Sequence, residues 1–121
     1  MSISLTTLIY ELTAAYPRQE IYGLTSQMRR ASVSTASNIA EGSARGTMKD
    51  FRQFVKMAQG SNAELQTQLT ISRNLGFADT EKCERAEALS QDVGRMLSGL
   101  SKYLSDQIRK EADKQQITNN R

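Results

Sequence analysis

The sequence predicts an all-α domain, an antiparallel up-down-up-down bundle of four helices joined by short loops. Apolar residues recur at spacings of three and four through most of the chain, and the alternation of β-branched residues typical of strands is absent. The chain also has only one proline and seven glycines, so helix-breaking residues are few. With 121 residues it is long enough to bury one hydrophobic core.

The first predicted helix spans about residues 2–15 and is short. Its apolar residues share one face: Ile3, Leu5, Leu8, Ile9, Leu12 and Ala15. Pro17 biases Tyr16 away from helical backbone angles, so the helix should end there. The connection that follows, PRQE, is short enough to turn the next helix back antiparallel to the first.

The second predicted helix, residues 22–45, has two adjacent rows of residues. The apolar or small row consists of Ile21, Leu24, Met28, Ala31, Thr35 and Ile39. The row beside it consists of Ser26, Arg30, Ser34, Asn38 and Glu41. Long charged side chains usually dominate a solvated helix face, whereas short hydroxyls and an amide suit close packing with hydrogen bonds. We therefore interpret the second row as a contact surface for another helix or subunit.

The third helix should begin at Thr47-Met48-Lys49-Asp50, a pattern in which the hydroxyl and the carboxylate cap free backbone N–H groups, and end at Gly76. Its apolar face is Phe51, Phe54, Val55, Ala58, Leu65, Leu69 and Ser72. Gly60 lies in the middle of this helix, where glycine is unfavourable by about 1 kcal/mol relative to alanine. It is either a tolerated surface glycine or a close helix crossing. We favour the crossing, and we add Gly60, Ser61 and Glu64 to the candidate packing residues.

The fourth helix should be capped by Asp79 or Thr80. Its predicted face is Cys83, Ala86, Leu89, Val93, Met96, Leu97, Leu100, Tyr103, Leu104 and Ile108. These elements place the bundle in residues 1–110, and residues 111–121 form a polar tail that should fray. Because the first helix is about half as long as the others, part of the bundle core should be uncovered. This predicts either a covering partner or a missing beginning of the chain.

The composition excludes several classes of function. No apolar run is long enough to cross a membrane, and the N-terminus lacks the features of a signal peptide, so we expect a soluble cytoplasmic protein with no membrane partner. The chain has no histidine, which is the commonest general base and metal ligand. Its one cysteine, Cys83, cannot form an internal disulfide and is interpreted as a packing residue.

The remaining candidates for chemistry are carboxylates and serines. Glu41 and Glu64 could act as acid and base or hold a divalent ion, but the Glu-x-x-His pairs of di-iron bundles are absent. Hydrogen bonding or ion pairing to Arg30 or Asn38 is the favoured interpretation. The serines have no histidine base, and the glycine-rich stretch 42–46 lacks the end of a phosphate-binding loop. We therefore predict no catalytic residue, cofactor or metal site, and no enzyme.

A basic cluster is the strongest indication of a ligand. The formal net charge is +3, and from Arg18 to Lys56 seven basic residues face three acidic ones. The candidate nucleic-acid contacts are Arg29, Arg45, Lys49, Arg52 and Lys56, because phosphates bind such side chains by charge. The alternative is a solvated basic face, or ion pairs between subunits. Adjacent residues on a helix point about 100° apart, so Arg29 and Arg30 should serve different surfaces; we assign Arg30 to packing.

Several motifs resemble a known family. They are PRQEIYGLTSQMRR at residues 17–30, SNIAEG at 37–42, GSNAELQTQL at 60–69, Leu-Gly-Phe at 75–77 and MLSGL at 96–100. This pattern is similar to the four helix bundle protein family, also called the ribosomal-RNA intervening-sequence protein family, which is related to the accessory variability determinants of diversity-generating retroelements. The family usually begins with a longer first helix, and it commonly has an isoleucine-proline step where this chain has Thr35-Ala36.

The resemblance implies a cytoplasmic four-helix bundle that assembles into a homopentameric ring without established enzymatic activity. In the retroelement branch it implies nucleic-acid binding through a basic surface and association with a reverse transcriptase. The first hypothesis is therefore a non-enzymatic self-assembling bundle, a homopentamer, with sequence-nonspecific binding of RNA or DNA. The alternative is an adaptor that docks a polymerase or another nucleic-acid enzyme.

Overall fold

A computed structural model describes residues 1–120 of the chain. It contains four α-helices: α1 (Ser2–Thr13), α2 (Leu24–Ser43), α3 (Met48–Leu75) and α4 (Thr80–Asn119), with one turn of 3₁₀-helix at Arg18–Glu20. Each helix packs against the next, and α4 packs back against α1. The described residues contain no strand, and the predicted all-α up-down-up-down bundle with a shortened first helix is confirmed.

The helix ends follow local capping chemistry. The Thr47 hydroxyl accepts a hydrogen bond from the Asp50 N–H at 3.2 Å, as the sequence predicts. Asp79, rather than Thr80, caps α4, since its carboxylate accepts from the Lys82 N–H at 3.0 Å. Gly76 ends α3 with a φ of +73°, a left-handed conformation that glycine adopts without steric penalty.

α2 is shorter than predicted, because the chain forms turns until Gly23. The Glu20 carboxylate folds back and accepts a hydrogen bond from the Leu24 N–H at 3.1 Å. This contact satisfies one of the free N–H groups at the start of α2, close to the positive end of the helix dipole. Ile21 and Tyr22 are therefore held outside the helix, where Tyr22 is 95% exposed.

One continuous core fills the space between the four helices. Its most completely buried large side chains are Leu5, Ile9, Leu12, Met28, Val55, Leu65, Leu69, Val93 and Leu97. Full burial of such a side chain stabilises the fold by about 1.5–3 kcal/mol. The predicted periodic faces therefore supply the core, although Ile3 and Ala15 of the first predicted face lie exposed.

A buried polar pair joins α3 to α4 within this core. The Asn62 amide donates to the Ser90 carbonyl at 3.0 Å, and the Ser90 hydroxyl donates to the Asn62 amide oxygen at 2.8 Å. A Cβ on Gly94 would lie 3.3 Å from the Asn62 amide nitrogen, so glycine leaves room for the pair. Because a buried polar group without a partner is unfavourable, the pair fixes the register of the two helices.

The predicted crossing at Gly60 is wrong within this chain. A Cβ on Gly60 would meet nothing within 4 Å, and the residue is exposed. The close approach is instead at Gly42, where a Cβ would lie 2.6 Å from the Phe54 Cβ and 3.1 Å from the Phe51 Cδ1. Glycine at 42 therefore allows the end of α2 to lie against the start of α3.

α4 is the longest helix and extends beyond its neighbours. Its 40 residues correspond to about 60 Å, against about 18 Å for the 12 residues of α1. α1 therefore covers only part of α4, and Tyr103 is 57% exposed. The polar stretch 111–119 is helical and exposed. The separate tail and its fraying stay predictions, and Arg121 lies outside the described residues.

Candidate functional site

The two adjacent arginines of α2 lie in different surroundings. The Arg29 Nε donates to the Thr13 hydroxyl at 2.9 Å, and its guanidinium lies 4.6 Å from the centre of the Tyr10 ring. Arg29 is therefore held against α1. Arg30 is exposed, so within this chain it is not a helix-packing residue.

The row of small residues on α2 makes part of its contacts within the chain. The Ser34 and Ser61 hydroxyls lie 2.9 Å apart and share a hydrogen bond between α2 and α3. The Asn38 amide donates to the Ser34 carbonyl at 2.8 Å and so stays on its own helix. Ser26 is half-buried in a groove on the other side of α2. At Ser34 and Ser61, short side chains thus allow α3 to approach α2.

The outward side of α2 lies between two open grooves. The groove on the α3 side has a volume of about 640 Å³ and includes Arg30, Ser34, Ser61 and Glu64. The groove on the α1 side has a volume of about 370 Å³. Arg30 lines both.

Apolar side chains are exposed along the α1 side of this surface. Ile21 is 54% exposed, Tyr10 44% and Val33 41%, and all three line the smaller groove. Tyr22, next to Ile21, is 95% exposed. We call the surface formed by Tyr10, Ile21, Tyr22, Arg30 and Val33 the α1–α2 face.

The candidate carboxylates are not paired with each other. Glu41 forms an ion pair with Arg45 at 2.8 Å, one helical turn away, so the predicted pairing of Glu41 with Arg30 or Asn38 is not observed. The Arg45 guanidinium also lies 5.0 Å from the centre of the Phe54 ring. Glu64 is exposed and has no salt bridge among residues 1–120.

Three of the five candidate nucleic-acid contacts share a face of α3. An Arg52 guanidinium N–H donates to the Ser105 hydroxyl at 3.5 Å, which places Arg52 at the boundary with α4. Lys49 precedes Arg52 by three residues and Lys56 follows it by four, so helical spacing puts both on the same side. Both lysines are exposed. Arg29 and Arg45 lie elsewhere.

Lys102 on α4 joins these residues, although the sequence analysis missed it. Lys102 is exposed and lies three residues before Ser105, on the same side of α4. The periodicity of α4 alone does not show which helix that side meets. The sequence does contain a signal that could have identified Lys102, the short turn at Gly76. That turn makes α3 and α4 antiparallel, so residues of the two helices can be paired by counting outwards from it.

Two buried titratable groups, the Cys83 thiol and the Tyr16 hydroxyl, stay protonated near neutral pH. Burial, and then the neighbouring Glu87 carboxylate, raise the pKa of the Cys83 thiol from 9.0 to about 11, so the thiol stays protonated and unreactive near neutral pH. Burial also raises the pKa of Tyr16. Its hydroxyl has no hydrogen-bond partner among the described residues.

Within residues 1–120, no cluster of three or more cysteine or acidic side chains is arranged to hold a metal ion. None of the helices described is both long and apolar enough to span a bilayer.

Comparisons with known proteins identify the family. The family model for the 23S rRNA-intervening sequence protein matches residues 1–99. A similar solved structure is a protein of unknown function from the S23 ribosomal protein family of Bacteroides thetaiotaomicron. It has a TM-score of 0.74 and 19% identity, and the match covers 84% of this chain and 94% of that one. No curated protein matches. The chain belongs to the 23S rRNA-intervening sequence protein family.

Proposed function

We propose that this chain is a non-enzymatic, self-assembling bundle protein that packs against copies of itself through the α1–α2 face. The observation that carries the proposal is that three exposed apolar side chains line one groove on that face: Ile21 is 54% exposed, Tyr10 44% and Val33 41%. A monomeric protein rarely leaves a contiguous group of large apolar side chains in water. Burial against another subunit removes this surface from solvent.

The number of copies follows from the family resemblance, which implies a homopentamer. In a ring each copy contacts the next head to tail, so each copy needs two different surfaces. The ring closes when the rotation between neighbouring copies divides 360° evenly. The α1–α2 face is one of these surfaces. Arg30, which lines both grooves, and Glu64, which lines the groove on the α3 side, have no ion pair within residues 1–120, so they are available for contacts between copies.

The second part of the proposal is sequence-nonspecific binding of RNA or DNA in the cytoplasm, with a reverse transcriptase as the protein partner that the resemblance implies. Lys49, Arg52 and Lys56 support it, because they present positive charge on one side of α3. A ring repeats these residues in every copy, and repeated weak phosphate contacts add up through effective concentration.

The assembly is tested by light scattering and sedimentation velocity. At micromolar concentration we expect the wild type to have five times the 13.5 kDa mass of one chain. Ile21→Asp should yield smaller species, because a carboxylate would be buried at the contact. Ile117→Asp is the matched control, since Ile117 is 61% exposed on the far end of α4. A monomeric wild type would overturn the assembly.

A second candidate, an adaptor that docks a polymerase or another nucleic-acid enzyme, rests on the same α1–α2 face. Exposed Tyr22 and Tyr10 are residue types enriched in the centres of protein interfaces. The two candidate functions predict different masses for the wild-type protein in solution. A monomer that captures a polymerase after nuclease treatment, and loses it on Ile21→Asp, would establish the adaptor in place of the assembly.

A further inference from the structure

We infer that the groove between the start of α3 and the second half of α4 binds the phosphate backbone of duplex nucleic acid. The inference rests on the proposed nucleic-acid binding and assigns it to a defined surface. The contributing side chains are Lys49, Arg52, Lys56 and Lys102, with Arg109 at one end. We call this surface the α3–α4 basic groove.

The antiparallel packing of the two helices places these residues along the same groove. The Arg52–Ser105 contact fixes one level of the antiparallel pair. Lys56 follows Arg52 by four residues and Lys102 precedes Ser105 by three, so in the antiparallel pair both lie about one turn from that contact in the same direction. Lys49 and Arg109 lie about one turn from it in the other direction. Successive cations along each helix are separated by three or four residues, or about 4.5–6 Å along the helix axis. The cations therefore form a double row.

The charges in this groove are largely free. Among residues 1–120, no salt bridge involves Lys49, Arg52, Lys56 or Lys102, whereas Arg109 is paired with Asp106 at 2.9 Å. Cations without protein partners keep their full attraction for phosphate.

Three carboxylates lie near the groove: Asp106, which is one turn from Lys102 and paired with Arg109, and Asp50 and Glu111 towards one end. Asp50 and Glu111 line a pocket together with Lys49, so they weaken the potential there. At the other end, the next pocket between α3 and α4 contains Gln66, Thr70 and Glu87, with no cation in its lining. The positive potential is therefore concentrated around Arg52, Lys56 and Lys102.

The absence of an available aromatic ring from this groove favours a duplex over a single strand. Phe51 and Phe54 pack towards Gly42 on α2. Tyr103 is two residues from Ser105, which places it nearly on the opposite side of α4. Proteins that bind single strands stack bases on aromatic side chains. A groove that offers only cations recognises the dense, regular phosphate charge of a duplex.

The test measures fluorescence anisotropy of a labelled RNA duplex and of one of its strands across a range of salt concentrations. For a duplex short enough to occupy the groove of a single copy, four phosphate contacts predict a slope of log affinity against log salt of about −4. The double variant Lys56→Ala/Lys102→Ala should reduce the slope to about −2. The matched control Lys82→Ala/Lys110→Ala removes the same amount of positive charge outside the groove. Lys82 lies in the first turn of α4, far from Ser105. Lys110 lies on a different side of α4 from Ser105. The control should keep the wild-type slope.

Circular dichroism and light scattering of every variant separate loss of binding from loss of structure. Equal binding by the two double variants would overturn the groove and leave nucleic-acid binding by another surface intact. A wild type that binds the single strand as tightly as the duplex would overturn the duplex assignment. No binding of either probe at low salt would overturn both the groove and the proposed nucleic-acid function.

Discussion

A Cβ on Gly42 would lie 2.6 Å from the Cβ of Phe54, closer than two carbon atoms can pack. This relationship between the end of α2 and the start of α3 explains why the helical hairpin requires glycine at position 42. Gly60, in the middle of α3, has open space around the corresponding position. The two glycines therefore differ in the free energy of unfolding that each contributes.

Replacement of each glycine by alanine tests this difference. Gly42→Ala should lower the free energy of unfolding by about 1–3 kcal/mol, because Phe54 must shift to admit the methyl group. Gly60→Ala should raise it by up to about 1 kcal/mol, since alanine favours the helix and meets nothing. Urea denaturation of both variants measures the changes. Equal effects at the two positions would contradict the packing described.

The adjacent arginines of α2 provide a second comparison. Arg29→Ala removes a hydrogen bond to Thr13 and a contact with the Tyr10 ring, so we expect a loss of about 1–2 kcal/mol in the free energy of unfolding. Arg30→Ala should change it by less than about 0.5 kcal/mol. The measurement is made on dilute protein, below the concentration at which copies associate. The reverse order would show that α1 packs on the other side of α2.

The buried pair of Asn62 and Ser90 should be energetically coupled. Asn62→Ala leaves the Ser90 hydroxyl without its acceptor in the core, so it should lower the free energy of unfolding by about 1–3 kcal/mol. Ser90→Ala should have an effect of the same sign. The double variant should lose less than the sum of the two, by at least about 0.5 kcal/mol. Additive effects in the double-mutant cycle would mean that the pair does not form.

Stability should fall with rising pH in the alkaline range because of Cys83. Its pKa is about 11 in the folded chain and 9.0 as an unperturbed thiol. As pH rises, the thiol therefore loses its proton in the unfolded chain before it does so in the folded chain. The contribution of Cys83 to the free energy of unfolding is complete below pH 9 and is lost as pH approaches 11. Tyr16, whose pKa is also raised from 10.0, adds a loss in the same direction.

The control for this pH dependence is Cys83→Ala in a Tyr16→Phe background. Denaturation midpoints measured from neutral pH to about 11 should decline less in the double variant than in the wild type. An identical decline in both proteins would show that neither group is responsible. Tyr16→Phe alone should leave stability near neutral pH nearly unchanged, since the hydroxyl has no partner among the described residues.

The fold could be predicted because its determinants are local. Thr47 and Gly76 mark the two ends of α3 by their own backbone chemistry, and periodicity defines which residues face the core. The length of α4 could not be predicted in this way. Its polar end has no apolar period, and the structure nevertheless continues the helix to Asn119.

The candidate site could be predicted only in part, because it depends on which helices meet. Arg29 and Arg30 differ by about 100° around α2, and only the position of α1 decides which one is covered. Likewise, Arg52 and Lys102 are 50 residues apart in the printed sequence. Only the packing of α3 on α4 brings them to one groove.

The most direct test of the account is hydroxyl-radical footprinting of Tyr22, which is 95% exposed in the single chain. At micromolar concentration the account predicts that Tyr22 is oxidised more slowly than Tyr103, which is 57% exposed, and that dilution to the monomer reverses this order. Tyr22 oxidised faster than Tyr103 at every concentration would contradict the claim that the α1–α2 face is covered by another copy.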